Sequence, residues 1–455
     1  MANADLVILG GGSGGYACAL RAAELGMSVV LIDKDKLGGT CLHRGCIPTK
    51  ALLHAAEIAD SAKESEAFGV RATFEGIDMP KVNEYRDGVV GRLYKGLQGL
   101  VKSRNVTFVE GAGRLVAPDT VEVNGERYTG KNVVLATGSY AKSLPGLDIG
   151  GRIMTSDQAL NLDYVPKSVV VLGGGVIGVE FASVWKSFGA EVTIVEALPH
   201  LVPNEDEACS KALERAFRKR GINFSLGIRF ASATQADHGV HVALEDGKTF
   251  DAEILLVAVG RGPNATGMGF EDQGVAMERG WVLVDERLRT NVPGVFAVGD
   301  ITPGLQLAHR GFQHGIFVAE EIAGLSPAII ADINIPRVTY CEPEVASVGL
   351  TEVQAREKYG DNVATYEYNL GGNGKSQILA TAGFIKLVQQ KDGPVVGIHM
   401  VGSRIGEQIG EAQLIVNWEA HPEDVATLIH AHPTQNEALG EAHLALAGKP
   451  LHAHA

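Results

Sequence analysis

An α/β fold built on a duplicated strand–turn–helix–strand unit is predicted by three features of this 455-residue sequence. First, the apolar run Asp5–Leu9 passes through Gly10, Gly12 and Gly15 into an Ala-rich segment ending at Leu25-Gly26, and a second run, Ser28–Ile32, closes on Asp33. Second, the order recurs at Gly173, Gly175, Gly178, Phe188-Gly189 and Glu196, every one at the same offset from its counterpart. Third, the chain after Ile335-Pro336 lacks the glycine pattern and carries strand-like segments with two helices, so an α+β unit follows the repeats. A repeat this long is a duplicated domain rather than a solenoid unit.

Size and composition bound the function. A chain of this length has room for about three domains and a large core, and 57 glycines among 45% hydrophobic residues suit tight turns in a folded protein. The net charge of −14 speaks against a nucleic-acid surface; the densest basic stretch, KALERAFRKRG at 211–221, reads as a solvated amphipathic helix. The N-terminus enters a strand without a basic segment, and no apolar run approaches the length of a membrane-crossing helix. Neither a signal peptide nor a membrane span is expected, and the cytoplasm is the expected compartment. Five cysteines (18, 41, 46, 209 and 341) are too sparse, and odd in number, for a disulfide framework.

Each glycine turn has a physical reading. The first glycine makes the tight turn, the second lets the backbone approach a pyrophosphate and the third lets the helix pack against the strand, while the acid beyond the second strand can bond a ribose hydroxyl. Two such Rossmann-like units imply two dinucleotides and internal electron transfer, most simply between a nicotinamide and a flavin. The first unit runs directly into a cysteine pair, so the flavin belongs there. In the second, Glu196 with no Arg from 197 to 203 favours a free 2′-hydroxyl, hence NAD over NADP.

That pair lies in GGTCLHRGCIPTK, residues 38–50, where Cys41 and Cys46 follow a glycine turn and precede the Ala/Leu-rich run 51–59. The pattern predicts a helix start. Its free N–H groups and positive dipole end favour the thiolate, the form that attacks disulfides. Pro48 is tolerated near a helix start. Two other readings stay open on these residues alone: a buried apolar pair, and a zinc site using His43, for which no fourth ligand is near.

The remaining elements follow in order. A helix is predicted over 81–102, then strands in VTFVEGAGRL and TVEVNGERY, then a strand–turn VVLATGS at 133–139. ILLVAVGRGPN at 254–264 is the equivalent exit from the second unit, and VLVDERLRTNVPGVFAVGD brings the chain back to an acid at Asp300. LQLAHRGFQHG follows at 305–315, with His314 expected on a helix surface. The last third has one sharp feature, His430-Ala-His432-Pro433-Thr434-Gln-Asn-Glu437. A histidine carries protons near neutrality, and a carboxylate on one ring nitrogen fixes its tautomer and raises its basicity.

The cysteine segment resembles the family pattern G-G-T-C-L-N-x-G-C-I-P-[ST]-K of the flavoprotein disulfide reductases (class I pyridine nucleotide–disulfide oxidoreductases), departing from it at His43. Within that family it is most similar to the dihydrolipoamide dehydrogenases, and the likeness runs from residue 5 to about 448. The resemblance implies that Cys41 exchanges with a substrate disulfide and Cys46 faces the flavin, that His432 is the acid/base with Glu437 its orienter, and that Lys50 and Glu180 pair near the reactive edge of the flavin. It places FAD against Gly10, Gly12, Ser13, Gly14, Gly15, Asp33, Lys34, Gly39, Thr40, Lys50, Gly113, Thr137, Gly138, Ser139, Asp300, Gln306, Leu307, Ala308 and His309. It places NAD against Gly173, Gly175, Val176, Ile177, Gly178, Glu180, Glu196 and Gly260. Gly262 stands where the family often has a second Arg, which predicts a looser corner there.

The resemblance further implies an FAD-binding domain at 1–142, an NAD-binding domain at 143–262, a central segment at 263–335 completing the first, and a dimerisation domain at 336–455. Each active site is expected to borrow its base from the other subunit of a homodimer. The expected activity is oxidation of dihydrolipoamide on the lipoyl domain of a 2-oxo acid dehydrogenase complex or on a glycine-cleavage carrier protein, with reduction of NAD and no metal. An NAD-linked reductase of another small disulfide is the alternative. Mercuric reduction would need a C-terminal cysteine pair, and no Cys follows Cys341. The tail KPLHAHA has no counterpart, and its two histidines are too few for a metal site.

Overall fold

The computed structural model describes residues 2–453. β1 (Ala2–Leu9), α1 (Ser13–Glu24) and β2 (Val29–Asp33) form the first βαβ unit. α2 (Gly39–Arg44), α3 (Cys46–Glu64) and α4 (Met79–Ser103) follow before β3 (Glu126–Leu135). The second unit is β4 (Ser168–Leu172), α5 (Val176–Phe188) and β5 (Glu191–Glu196), continued by β6 (Ile254–Val257). β7 (Val295–Ala297) and α6 (Ala308–Ile322) come next, and α7 (Ile405–Asn417) and α8 (Glu437–Leu446) lie near the end.

In the first sheet β1 pairs in parallel with β2 and β3, and β7 returns from beyond the whole second unit to pair in parallel with β3. The second, five-stranded sheet runs parallel throughout, with β4 between β5 and β6. Leu6–Leu9 of β1, Val29–Ile32 of β2, Val169–Leu172 of β4 and all of β6 are buried apolar runs, as sheets covered on both faces require. The repeat persists in the register: Leu6 lies beside Val29, and their counterparts Val169 and Val192 lie beside each other in the same way. The last third is a five-stranded antiparallel sheet covered by α7 and α8, with three shorter helices besides the two predicted.

The predicted single helix start behind the cysteines is two helices. Gly38, at φ 103°, caps α2, and Gly45 breaks the chain before α3. Cys41 therefore sits in the first turn of α2 and Cys46 opens α3. Pro48, the third residue of α3, gives up an N–H that would have no helical partner there.

Candidate active site

Both glycine turns are dictated by close approach. Gly10 and Gly173 adopt φ of 112° and 111°, and a Cβ on either would lie 2.2–2.3 Å from the carbonyl oxygen of Ala136 or Ala258. A Cβ on Gly15 or Gly178 would strike the carbonyl of Gly10 or Gly173 at 1.7 and 1.9 Å. Gly12 and Gly175 instead cap α1 and α5 with no backbone or side-chain atom closer than 3.9 Å to where their Cβ would stand. The open approach lies at the helix N-terminus, where an anionic diphosphate is favoured. Ser13 and Gly14, Val176 and Ile177 form the first turns behind it. The acids follow the same symmetry: Asp33 Oδ2 accepts from Gly11 N at 2.5 Å, and Glu196 Oε2 from Gly174 N at 2.6 Å. Their other oxygens accept from Asp35 N and Leu198 N.

The two exit turns meet each other. Thr137 Oγ1 donates to the Asn264 carbonyl at 2.6 Å, Asn264 N to Gly138 O at 2.9 Å, and Ser139 Oγ to Asp300 Oδ2 at 2.6 Å. Arg261 donates to both the hydroxyl and the carbonyl of Ser139. The sequence marks the exit segment 254–264 but gives Arg261 and Asn264 no role, because their partners belong to the other exit turn, a whole domain earlier in the chain. The corner at Gly262 is filled rather than loose, because a Cβ there would lie 2.7 Å from the Tyr140 ring. Gly260 turns at φ 103° with open space beside it.

The first fold body fits a flavin nucleotide. Its cradle is free of side chains at Gly12, and the side-chain amide nitrogen of Gln306, two residues before α6, is buried without a partner among the described residues. Leu307 and Ala308 begin α6, and His309 Nε2 shares a 2.7 Å hydrogen bond with the Pro336 carbonyl. Gly39, at φ 57°, brings its Cα close to Gly12, and Thr40 follows it in α2. Lys34 is exposed just past Asp33, and Gly113 packs where a Cβ would meet Leu9 and Ile32.

At the dithiol, the Cys41 thiol hydrogen-bonds Cys46, which lowers the Cys46 thiol to about 7; burial opposes the shift, while the Lys50 ammonium supports it. Cys41 is pushed well up by the same hydrogen bond and by burial. The thiolate thus belongs to Cys46, at the N-terminus of α3. One turn on, Lys50 Nζ contacts both oxygens of Glu180 at 2.8 Å. Burial alone would push the Lys50 ammonium down; the Glu180 carboxylate overrides it and holds the ammonium above its ordinary range. Tyr340, unmarked in the sequence, donates its N–H to Glu180 and lays its ring 4.7 Å from Lys50 Nζ. His43 turns Nε2 to the Leu37 carbonyl at 2.8 Å and meets the Tyr94 ring edge-on.

The predicted base lies on the loop before α8. His432 is 79% exposed, and its Nδ1 lies 2.8 Å from Glu437 Oε1. Glu437 Oε2 accepts from Thr434 N at 2.7 Å. Burial pushes the Glu437 carboxyl up, but the Thr434 N–H and His432 outweigh it and hold the group below its ordinary range. Beneath them, Glu411 of α7 accepts from His430 at 2.7 Å and from Asn436 at 2.6 Å, bracketing the loop that carries His432. The expectation of a surface histidine at 314 is wrong: His314 is 3% exposed, because α6 packs against α1 through Gly311 and Gly315 and turns that face inward. His452 of the tail bonds Glu441, while His454 lies outside the described residues.

Comparison with known proteins gives the same frame. Residues 4–315 match the family model described as pyridine nucleotide-disulphide oxidoreductase, and 335–443 match the dimerisation domain of that family. The chain is 39% identical to a dihydrolipoyl dehydrogenase of Bacillus subtilis, covering 98% of this chain and 99% of the relative. It is 38% identical to a mitochondrial dihydrolipoyl dehydrogenase of Arabidopsis thaliana, covering 98% and 91%. Among solved structures, LpdA of Mycobacterium tuberculosis superposes with a TM-score of 0.91 at 27% identity, covering 98% of this chain and all of that one. A paired glycine cradle, a dithiol at a helix start and two matched domain models make this chain a member of the pyridine nucleotide-disulphide oxidoreductase family.

Proposed function

We propose that the chain is an FAD-containing, NAD-dependent dihydrolipoyl dehydrogenase that acts as a homodimer. The observation carrying this reading is Cys46, its thiol lowered to about 7 at the start of α3, with Lys50 one turn away paired to Glu180 of the nicotinamide unit. Residues 1–142 and 263–335 make the flavin body, 143–262 the nicotinamide body and 336–455 the dimer interface. The exposed Ile429 and Trp418 suit a surface covered by a second copy.

In the oxidised enzyme Cys41 and Cys46 form a disulfide. His432, oriented by Glu437, takes a proton from dihydrolipoamide, and the resulting thiolate attacks Cys41 Sγ. The S–S bond breaks, Cys46 leaves as a thiolate beside Lys50, and the second substrate sulfur displaces Cys41, whose departing Sγ takes up that thiol's proton, to release lipoamide. Gly10–Gly15, Asp33 and Asp300 would hold FAD, which would supply the electron carrier between the dithiol and NAD, and Gly173–Gly178 with Glu196 would hold the NAD. The carboxylate of Glu196 would repel a 2′-phosphate.

The physiological substrate is a dihydrolipoyl arm on a 2-oxo acid dehydrogenase component or a glycine-cleavage carrier protein, in the cytoplasm. Purified protein should be yellow and reduce NAD with dihydrolipoamide. Turnover of glutathione or another small disulfide in preference to lipoamide would defeat the reading.

A further inference from the structure

The chain's departure at His314 is built into a bracket around one residue, Gly299, whose N–H and carbonyl are both held. After β7 the backbone turns through Gly299, at φ 71°, into Asp300, whose Oδ2 accepts from Ser139 Oγ. Gly299 N–H donates to His314 Nδ1 at 3.3 Å. On the other side, the Gly299 carbonyl accepts from Thr302 N at 3.0 Å, Thr302 Oγ1 at 2.8 Å and Arg310 Nη1 at 3.5 Å. Arg310 is itself fixed by Asp332 Oδ1 at 2.9 Å, the Pro303 carbonyl at 2.6 Å and Thr302 Oγ1. Both side chains are buried and lie one helical turn apart on α6. The same helix packs against α1, where a Cβ on Gly315 would lie 2.2 Å from the Gly14 carbonyl.

We infer that His314 and Arg310 are positioning residues for the flavin: His314 as a neutral acceptor on Gly299 N–H, and Arg310 on its carbonyl, together fix the orientation of the Asp300 carboxylate. The inference rests on the reading of Asp300 as a flavin contact. To accept, Nδ1 must be unprotonated, and burial with Arg310 nearby holds the imidazole at about 3, so it stays neutral across the working pH range. Arg310 in turn cannot lose its charge. A buried N–H deprived of its acceptor favours another backbone arrangement, and Asp300 moves with it.

The test uses full-length protein stripped of FAD, titrated with FAD by flavin fluorescence and visible circular dichroism, alongside the thermal midpoint of the apo-protein. His314→Asn keeps an acceptor at the position of Nδ1, and its affinity should stay within about twofold of wild type; His314→Leu should bind about tenfold more weakly, with an altered flavin dichroism. Should His314→Leu fail to fold, His314→Gln, whose amide oxygen stands one bond beyond the Nδ1 position, is compared with His314→Asn on the same readouts and should bind FAD more weakly. A lower midpoint with unchanged affinity and dichroism would mean that His314 only fills the core, and the inference falls. Wild-type apo-protein that takes up no FAD would instead remove the reading of Asp300, and the inference with it.

Discussion

Lys50 Nζ lies 2.8 Å from both carboxylate oxygens of Glu180, tying the helix that begins at Cys46 to the helix that opens the second dinucleotide unit. Glu180 is only 3% exposed. Separating the partners therefore leaves a charge in poor surroundings, a far larger effect than breaking a surface pair.

Replacing Lys50 with Met removes the cation that supports the Cys46 thiolate, so the pH at which Cys46 ionises should rise by about one unit or more. Glu180→Gln should move it the opposite way, since that carboxylate raises the Cys46 value. The rate of iodoacetamide alkylation of the reduced protein against pH reads both shifts. Equal profiles for the two variants would refute the electrostatic link.

The two sulfurs are also separable by colour. Reduction of the flavin-loaded enzyme should produce a long-wavelength thiolate-to-flavin band that survives Cys41→Ser and disappears in Cys46→Ser. Below pH of about 7 the band should fade as Cys46 takes up a proton. Retention in Cys46→Ser with loss in Cys41→Ser would reverse the assignment.

Nucleotide choice follows from Glu196. Both its oxygens are engaged by Gly174 N and Leu198 N, so the carboxylate is fixed at the end of β5, beside the 2′-position in the proposed nucleotide site. Glu196→Ser combined with Ala197→Arg should narrow the NAD preference by about 10–100-fold, or invert it. Measured kcat/KM for both nucleotides decides, and equal wild-type rates would end the argument.

Acid sensitivity should come from the buried His314, His399 and His443, each held below its ordinary value by burial. Burial lowers His314 to about 3 and His443 to about 4 from an ordinary value of 6.5. Below 6.5 the unfolded chain binds protons that the folded one refuses, so stability falls with pH from about 6.5 downward, by at most about 1.4 kcal/mol per pH unit for each histidine. His314→Gln should flatten the dependence of the thermal midpoint between pH 6.5 and 5; an unchanged slope would show that this histidine is not its source.

The parts of this molecule visible in the sequence are those where the backbone sets the residue. Gly10, Gly15, Gly173 and Gly178 admit no Cβ, so their spacing is legible without a structure. Tyr340, Glu411, Arg261 and Asn264 are set by contacts with distant parts of the chain, and no local spacing marks them. His314 misleads for a related reason: around it the contact of α6 with α1 is made by Gly311 and Gly315, and the apolar residues that mark the buried face begin only at Phe317.

The last prediction concerns assembly. Cys41 lies in the first turn of α2, near the chain's start, whereas His432 is exposed on the dimerisation domain, and the chain's own fold leaves the base open to solvent. A two-fold dimer would bring each His432 to the other chain's thiols, giving two equivalent sites at one isologous interface. Glu411 holds the loop from below through His430 and Asn436, so Glu411→Ala should lower kcat more than it raises KM and should alter the pH profile of turnover. The decisive experiment refolds a Cys41→Ser chain together with a His432→Gln chain. Each heterodimer then has one site with both lesions and one with neither. Random pairing makes half the dimers mixed, so about a quarter of wild-type activity should return from two inactive parents. No recovery, with heterodimers verified by native mass spectrometry, would mean that base and thiols meet within a single chain.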